Sequence, residues 1–266
     1  MQILVCVKQV PSVNEGRLDR KTGTLLRADL PAVMNPYDGR ALEMALQLRD
    51  KTGGNVTVLT MGPASAVSVL KESLAMGADG AVLLSDLKFA GADVVATAYT
   101  ISQAVRVLPT ADIIICGRQS TDGDTGQVSG ALAAFLDLPF ATGVDSIFPD
   151  KSGSLRLRQR MGTVHMEACY PLCCVVAVEN ETVTPRIPSL RRRLAVSSVP
   201  IKHLTLADLP DKDPSHYGTT GSATRVVHTY RPPEPTGKTV IPEACIQPDV
   251  LLRCILGDKE DTYIEC

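Results

Sequence analysis

The residues best suited to chemistry lie in "IICGRQSTDGDTGQVSGALAAFL", Ile114 to Leu136. An apolar β-branched segment passes through a turn of glycines and hydroxyls into an amphipathic helical pattern. Such a turn offers backbone N–H groups and short hydroxyls at a helix N-terminus, where the macrodipole favours an anion. Phosphate is the natural occupant. The stretch is not a Walker A loop, since neither GxxxxGKS nor GxxxxGKT occurs, and "GDTGQVSG" echoes GxGxxG only loosely. Taken alone it reads as a nucleotide site or, more plainly, as a βα turn rich in small residues.

The elements that must position it are legible around it. The apolar runs "ILVCV" (Ile3 to Val7), "VTVLTM" (Val56 to Met61), "GAVLLS" (Gly80 to Ser85) and "DIIIC" (Asp112 to Cys116) alternate with helical patterns. Those patterns are "RALEMALQLRDKTG", "ASAVSVLKESLAMGA" and "ADVVATAYTISQAVRVL". Strands that are apolar throughout, each followed by a helix, predict an α/β fold with a doubly wound, mostly parallel, Rossmann-like sheet covered on both faces. Ligands of such sheets bind beyond the carboxyl ends of the strands, at the topological switch point.

Four segments follow those ends. After the first strand come "KQVP" and then "NPYDGRALEMAL", where Asn35 can cap a helix, Pro36 suits its first turn and Asp38 favours its dipole. After the second, Met61, Gly62 and Pro63 form a tight turn that brings backbone close to the sheet edge. "DLKFAGADVVATAY" follows the third, and the Ile114–Leu136 stretch contains the fourth. Converging small-residue turns point to a dinucleotide-sized site.

Composition narrows the alternatives. The chain has 266 residues, 44% hydrophobic and 21% charged, with net charge -2. That suits one large or two modest globular domains and leaves no electrostatic footprint for nucleic acid or an anionic membrane. No apolar run approaches the roughly 20 residues of a membrane span, and "MQILVCVKQV" has no leader pattern, so a cytoplasmic location is expected. The eight cysteines contain no CxxC pair. Cys6 and Cys116 sit in apolar runs as small hydrophobes, and "CYPLCC" has the wrong spacing for a zinc knuckle, so no metal is expected. The histidines are scattered and suggest no Ser/His/Asp triad.

Read in order, "VCVKQVP", "NPYDGRALEMAL", "TMGPA", "LAMGAD", "FAGADVVATAY", "CGRQSTDGDTGQVSGALAAFLDLP" and "TPRIPSLRRRL" resemble the beta subunits of electron transfer flavoproteins over about three quarters of the chain. The resemblance implies a subunit that pairs with a larger alpha subunit and holds an adenine nucleotide. That nucleotide is structural AMP in ordinary members. In the electron-bifurcating branch it is an FAD reduced by NADH, whose electrons part between the alpha-subunit flavin, with its flavin-dependent dehydrogenase, and ferredoxin. "FAGADVVATAY" and "GRQSTDGDTGQV" resemble the bifurcating branch, so FAD is the expected cofactor, with AMP as the alternative. "RMGTVHMEACYP" departs from the family pattern, at a local hairpin.

Carried over by position, Cys6, Asn35, Pro36, Tyr37, Asp38, Met61 and Gly62 line the adenine side. The loop Gly117, Arg118, Gln119, Ser120, Thr121, Asp122, Gly123, Asp124, Thr125, Gly126, Gln127 and Val128 cradles the phosphates. Phe89, Asp93 and Thr97 face the flavin or its ribityl chain. No side chain is expected to act as a catalytic acid or base, because the flavin carries the chemistry.

The second half reads differently. "FATGVDSI", "LRLRQRM" and "CVVAV" predict strands that extend the sheet, partly antiparallel. "TPRIPSLRRRLAV", Thr184 to Val196, holds three arginines after a proline-bracketed turn, which read as a solvated face or, through the resemblance, as the loop recognising partner dehydrogenases. In that second reading Leu190 is the apolar anchor and Arg191, Arg192 and Arg193 are steering charges. The expected organisation is a nucleotide-binding domain over 1–205, with this loop at about 184–196, and an extended arm over 206–266 that packs on the alpha subunit. The rival function class is a nucleotide-sensing regulatory domain.

Overall fold

The apolar runs become the inner strands of one sheet. In the computed structural model, which describes residues 1–12, 32–150, 153–179 and 183–227, β1 is Gln2–Cys6, followed by a short ribbon of β2 (Gln9–Pro11) and β3 (Ala32–Met34). Then come α1 (Pro36–Thr52), β4 (Asn55–Met61), α2 (Val67–Met76), β5 (Gly80–Leu84), α3 (Val94–Arg106), β6 (Ile113–Gly117) and α4 (Val128–Leu136). The second half supplies β7 (Phe140–Pro149), β8 (Leu155–Met161), β9 (Val164–Tyr170), β10 (Cys174–Val178), α5 (Leu190–Ala195), β11 (Ile201–Leu204) and the single turn α6 (Gly218–Gly221).

The sheet order is β11-β5-β4-β1-β6-β10-β7-β8-β9. Every pairing from β11 to β7 is parallel; β8 and β9 add an antiparallel hairpin at the edge. The strand order reverses between β1 and β6, which are in register with Cys6 opposite Cys116. A crevice therefore opens at the carboxyl ends of those two strands.

Alternation along the strands feeds two cores. Ile3, Val5, Val58, Ile113, Ile115 and Val176 face α1 and α2, where Leu42, Leu46 and Leu70 meet them. Leu4, Leu59, Ile114 and Val175 face α3 and α4, where Ile101 and Leu132 meet them. Helix ends follow local chemistry: α1 opens on Pro36 with Asp38 in its first turn, carries Arg49 and Lys51 in its last, and stops at Gly53 with φ 72°. The Asp93 carboxylate caps α3 by accepting from the Ala96 N–H at 2.9 Å.

Residues 206–227 pack onto the same unit, which runs from Met1 to Val227. Leu209 and Tyr217 are buried, and the Tyr217 ring lies 5.5 Å from Phe89 and 5.6 Å from Tyr99. Its hydroxyl donates to the Asp211 carbonyl at 2.6 Å, which explains how a tyrosine sits there without an orphaned polar group. The remainder of the expected arm, from His228, lies outside the described residues. Among the described residues no helix is long and apolar enough to cross a membrane, and no group of three or more His, Cys, Asp or Glu could hold a metal.

Candidate functional site

At the β1–β6 crevice the structure brings together most of the residues singled out in the sequence. Asn35 is buried, and its side chain does not cap α1. The helix start is closed instead by the Asn35 carbonyl, which accepts from the N–H groups of Asp38 and Gly39, both at 3.0 Å. The side-chain amide is thereby released for the loop. Its Nδ2 donates to the Gln119 carbonyl at 2.8 Å and its Oδ1 accepts from the Thr121 N–H at 3.4 Å. The expectation of a capping Asn35 is thus corrected: the residue ties the 117–128 loop to the head of α1.

Asp38 is buried beneath the same loop. Its carboxylate accepts from the Lys8 N–H at 2.7 Å and is also bonded to the Gly117 backbone. Burial pushes this carboxyl up to about 7 against those bonds, the Asn35 amide and the Lys8 charge. Gly117 makes the approach possible, since a Cβ there would run into Asp38 Oδ1 and the backbone of Tyr37. Tyr37 is half-buried with the Arg40 guanidinium 5.8 Å from its ring centroid, while Pro36 is exposed.

The loop itself carries two carboxylates, an unfavourable feature for an anion site unless they are compensated. Lys8 compensates one: its Nζ lies 2.6 Å from Asp122 Oδ1 and 3.2 Å from Ser120 Oγ. Gln119 Nε2 donates to Asp124 at 2.5 Å. Arg118 pairs with Glu179, which also accepts from Arg160. Residues Gly123 to Gln127, including Thr125, are exposed at the crevice rim, and Val128 opens α4. Gly126 has φ 62° and Asp124 φ 50°, so the chain reverses there through left-handed backbone that glycine tolerates best. Gly123 is less demanding, because a Cβ would meet only the Ser120 hydroxyl at 3.3 Å and Lys8 Nζ at 3.9 Å.

Met61 and Gly62 close the end of β4 and are half-buried, with the Gly62 N–H donating to the Leu84 carbonyl at 3.1 Å. Cys6 and Cys116 lie side by side on the crevice floor, both free. The Cys6 thiol beside it and burial push the Cys116 thiol well above its ordinary range, so it stays protonated as a packing group.

Phe89 and Asp93 spend their contacts on the 206–227 segment. Phe89 is buried against Tyr217. Asp93 caps α3 with one oxygen and accepts from the N–H and hydroxyl of Thr224 with the other, at 2.8 and 2.9 Å. Thr97 is half-buried in the first turn of α3. Lys8 is the site residue that the motif-by-motif reading passed over; "KQVP" following the first strand was its signal, as a lone cation beside a phosphate-type loop.

The arginine run lies on α5, which packs beside α2. Leu190 is 73% exposed, and Arg191, Arg192 and Arg193 are exposed as well. They differ in placement: the Arg192 guanidinium lies against Gly77 at the end of α2, and Arg193 borders a cleft with Lys71 and Glu72.

Comparison with known proteins matches residues 22–209 to the electron transfer flavoprotein domain. The chain is 42% identical over 236 residues to an electron transfer flavoprotein subunit beta of Thermoanaerobacterium thermosaccharolyticum, covering 87% of this chain and 88% of that one. It belongs to the electron transfer flavoprotein beta-subunit family. Other members of the family close to it are the caffeyl-CoA reductase-Etf complex subunit CarD of Acetobacterium woodii, 38% identical with 91% and 92% of the two chains covered, and the acryloyl-CoA reductase electron transfer subunit gamma of Anaerotignum propionicum, 40% identical with 88% and 90% covered. As an electron transfer flavoprotein beta subunit, the chain serves electron transfer as one component of a complex.

Proposed function

We propose that this beta subunit holds FAD across the β1–β6 crevice in a complex with the alpha subunit. When bound, FAD supplies the redox chemistry, accepting hydride from NADH and parting its electrons between the alpha-subunit flavin, with its dehydrogenase, and ferredoxin. The observation that carries the nucleotide reading is the Lys8–Asp122–Ser120 contact. It offsets the charge of a loop whose N–H groups and hydroxyls otherwise present themselves to an anion. The donor set fits a pyrophosphate: Ser120, Thr121 and Thr125 hydroxyls, with Asp122 neutralised by Lys8 and Gly126 for the reversal. Asn35 and Asp38 hold the loop against α1, and Cys6, Met61 and Gly62, half-buried at the strand ends, are the residues we assign to the adenine side. Support for FAD comes from the "FAGADVVATAY" and "GRQSTDGDTGQV" stretches and from relatives named as electron transfer subunits of CoA reductase complexes.

A second reading, structural AMP in the same cradle, is favoured by one observation. Phe89 and Asp93, expected at the flavin, spend their contacts on Tyr217 and Thr224. Denaturing extraction of the purified heterodimer separates the two. Two FAD and no AMP per heterodimer, with flavin bleaching by NADH, is the expected result; one FAD and one AMP selects the second reading, and absence of both nucleotides from the beta subunit overturns the cradle. Leu190 and the arginine run serve in this reading as the surface that docks a flavin-dependent dehydrogenase.

A further inference from the structure

Helix α5 is inside out. Leu190 and Leu194 are 73% and 71% exposed, Ile187 in the segment that leads into the helix is 88% exposed, and no residue of α5 is buried. An open cleft of about 470 Å3, lined by Lys71, Glu72, Pro188, Arg193 and Ser197 among others, lies between it and α2. Six residues are too few to hold a helix by propensity alone. Apolar burial anchors only the far end of α5, through Val196 just beyond it, so polar contacts must set the direction of its start.

The strongest of these contacts is at its stem. Arg186 reaches Glu43 in the middle of α1 through three hydrogen bonds: its backbone N–H at 3.0 Å, Nε at 2.9 Å and Nη2 at 3.0 Å. Nη2 also donates to Asp50 at 3.1 Å, about two turns further along the same face of α1. Glu43 is 4% exposed. Burial opposes its charge, but the Arg186 hydrogen bonds outweigh that and hold the carboxyl below its ordinary range. The chain of ion pairs continues from Asp50 through Arg49 to Asp79 and the Gly77 carbonyl. There Arg192 comes back from α5 to lie against Gly77.

We propose that Arg186 and Glu43 are positioning residues for dehydrogenase docking: their fork-to-carboxylate pair sets the orientation of α5, and so of the outward row Ile187, Leu190 and Leu194. This rests on the reading of α5 as the docking surface. The planar guanidinium fixes direction as well as distance, which a lysine ammonium does not. A helix held at its stem in this way presents its apolar row without paying for ordering it at encounter.

The test uses the heterodimer, with a flavin-dependent acyl-CoA dehydrogenase reduced by its substrate as electron donor. Tryptic cleavage at Arg191 to Arg193 reports the hold on α5; the KM and kcat for reduced dehydrogenase report docking. In Arg186→Gln, cleavage is expected to rise about tenfold, the change produced by losing about 1.4 kcal/mol of local stability, and KM to rise with kcat and bound nucleotide unchanged. Because the single variant strands a buried carboxylate, the Glu43→Gln/Arg186→Gln pair removes both charges together and is expected to show the same two effects in a stable domain. Arg186→Lys is expected to fall between. Unchanged cleavage in the double variant overturns the clamp. Faster cleavage with unchanged KM, where Leu190→Ala raises KM, overturns the positioning role. Faster cleavage with neither Arg186→Gln nor Leu190→Ala moving KM leaves the clamp standing and refutes the docking reading beneath it.

Discussion

The 117–128 loop and helix α5 are both exposed segments rich in charge, yet they are anchored in opposite ways. The loop turns its polar groups inward: Asn35 takes its backbone, Asp38 lies under Gly117, and Lys8 neutralises Asp122. Its fixity comes from close backbone approach in a buried setting. Helix α5 turns its apolar groups outward and is held by the ion pairs of Arg186 at its stem and by Arg192 lying against Gly77. The first arrangement suits a small rigid ligand that needs donors at fixed points. The second suits a macromolecule that needs an apolar row offered in a defined direction. Backbone contacts tolerate salt and fail on added volume, whereas ion pairs with an exposed arm, as at Arg186–Asp50, tolerate volume and weaken with salt.

The largest effect should come from adding volume where the loop meets α1. Gly117→Val would drive side-chain carbons into Asp38 and into Tyr37, whose backbone carbon would lie 2.8 Å from the new Cβ. Because neither neighbour is free to move, a cost on the order of 5 kcal/mol is expected, with complete loss of nucleotide. Thermal denaturation and denaturing extraction would register it, and dehydrogenase docking by the surviving folded fraction should be unaltered. Retention of nucleotide would erase the contrast between the two regions.

Next comes pH. Because the folded state raises the Asp38 carboxyl from 3.8 to about 7, the folded chain holds this proton more tightly than the unfolded one. The resulting stabilisation is complete below about pH 3.8 and is lost as pH rises through about 7, up to about 4 kcal/mol in all. Asp38→Asn, which carries no titrating proton, should flatten that part of the urea midpoint against pH. An unchanged slope would assign it to other groups.

A smaller effect is expected at Gly126. Its φ of 62° strains a β-branched residue by about 1–2 kcal/mol, and Gly126→Val should weaken nucleotide retention about tenfold while leaving the sheet intact. Smallest in stability are Arg191→Ser and Arg193→Ser together, within about 0.5 kcal/mol. They should slow electron delivery at low salt and leave nucleotide content alone. Arg192→Ser should differ from both by hastening tryptic cleavage at its neighbours, since it lies on Gly77. Equal behaviour of all three arginines would mean that α5 is one undivided charge patch.

Much of this was legible in the sequence because the signals are local. Continuous apolar runs fixed β1, β4, β5 and β6 to within a residue or two, and the helices between them followed from period and punctuation. The crevice followed from the alternation itself. What local signals could not carry was partner choice across the chain. Asn35 has every property of a cap, and only the arrival of Gln119, 84 positions away, reassigns it. "RRR" is uniform on the page, and Gly77 is what singles out Arg192. Tyr217 lies in a polar stretch expected to belong to an arm, and its burial depends on Phe89 and Tyr99 from another part of the fold. The β8–β9 edge hairpin was likewise foreshadowed only in part, its second strand having mostly exposed residues and little apolar period.

Helix α1 carries residues of both regions, Asp38 at one end and Glu43 and Asp50 further along. It therefore acts as a gauge block between the two. At about 1.5 Å per residue, Glu43 stands about 7.5 Å beyond Asp38, and Asp50 about 18 Å beyond it. Loops on either side can lengthen without altering that spacing. A single residue inserted between Asp38 and Glu43 cannot be absorbed in the same way, since it would swing every later side chain about 100° around the axis and point Glu43 away from Arg186. The separation between the 117–128 loop and the stem of α5 is thus set by helical pitch, a dimension that the rest of the chain can surround but not adjust.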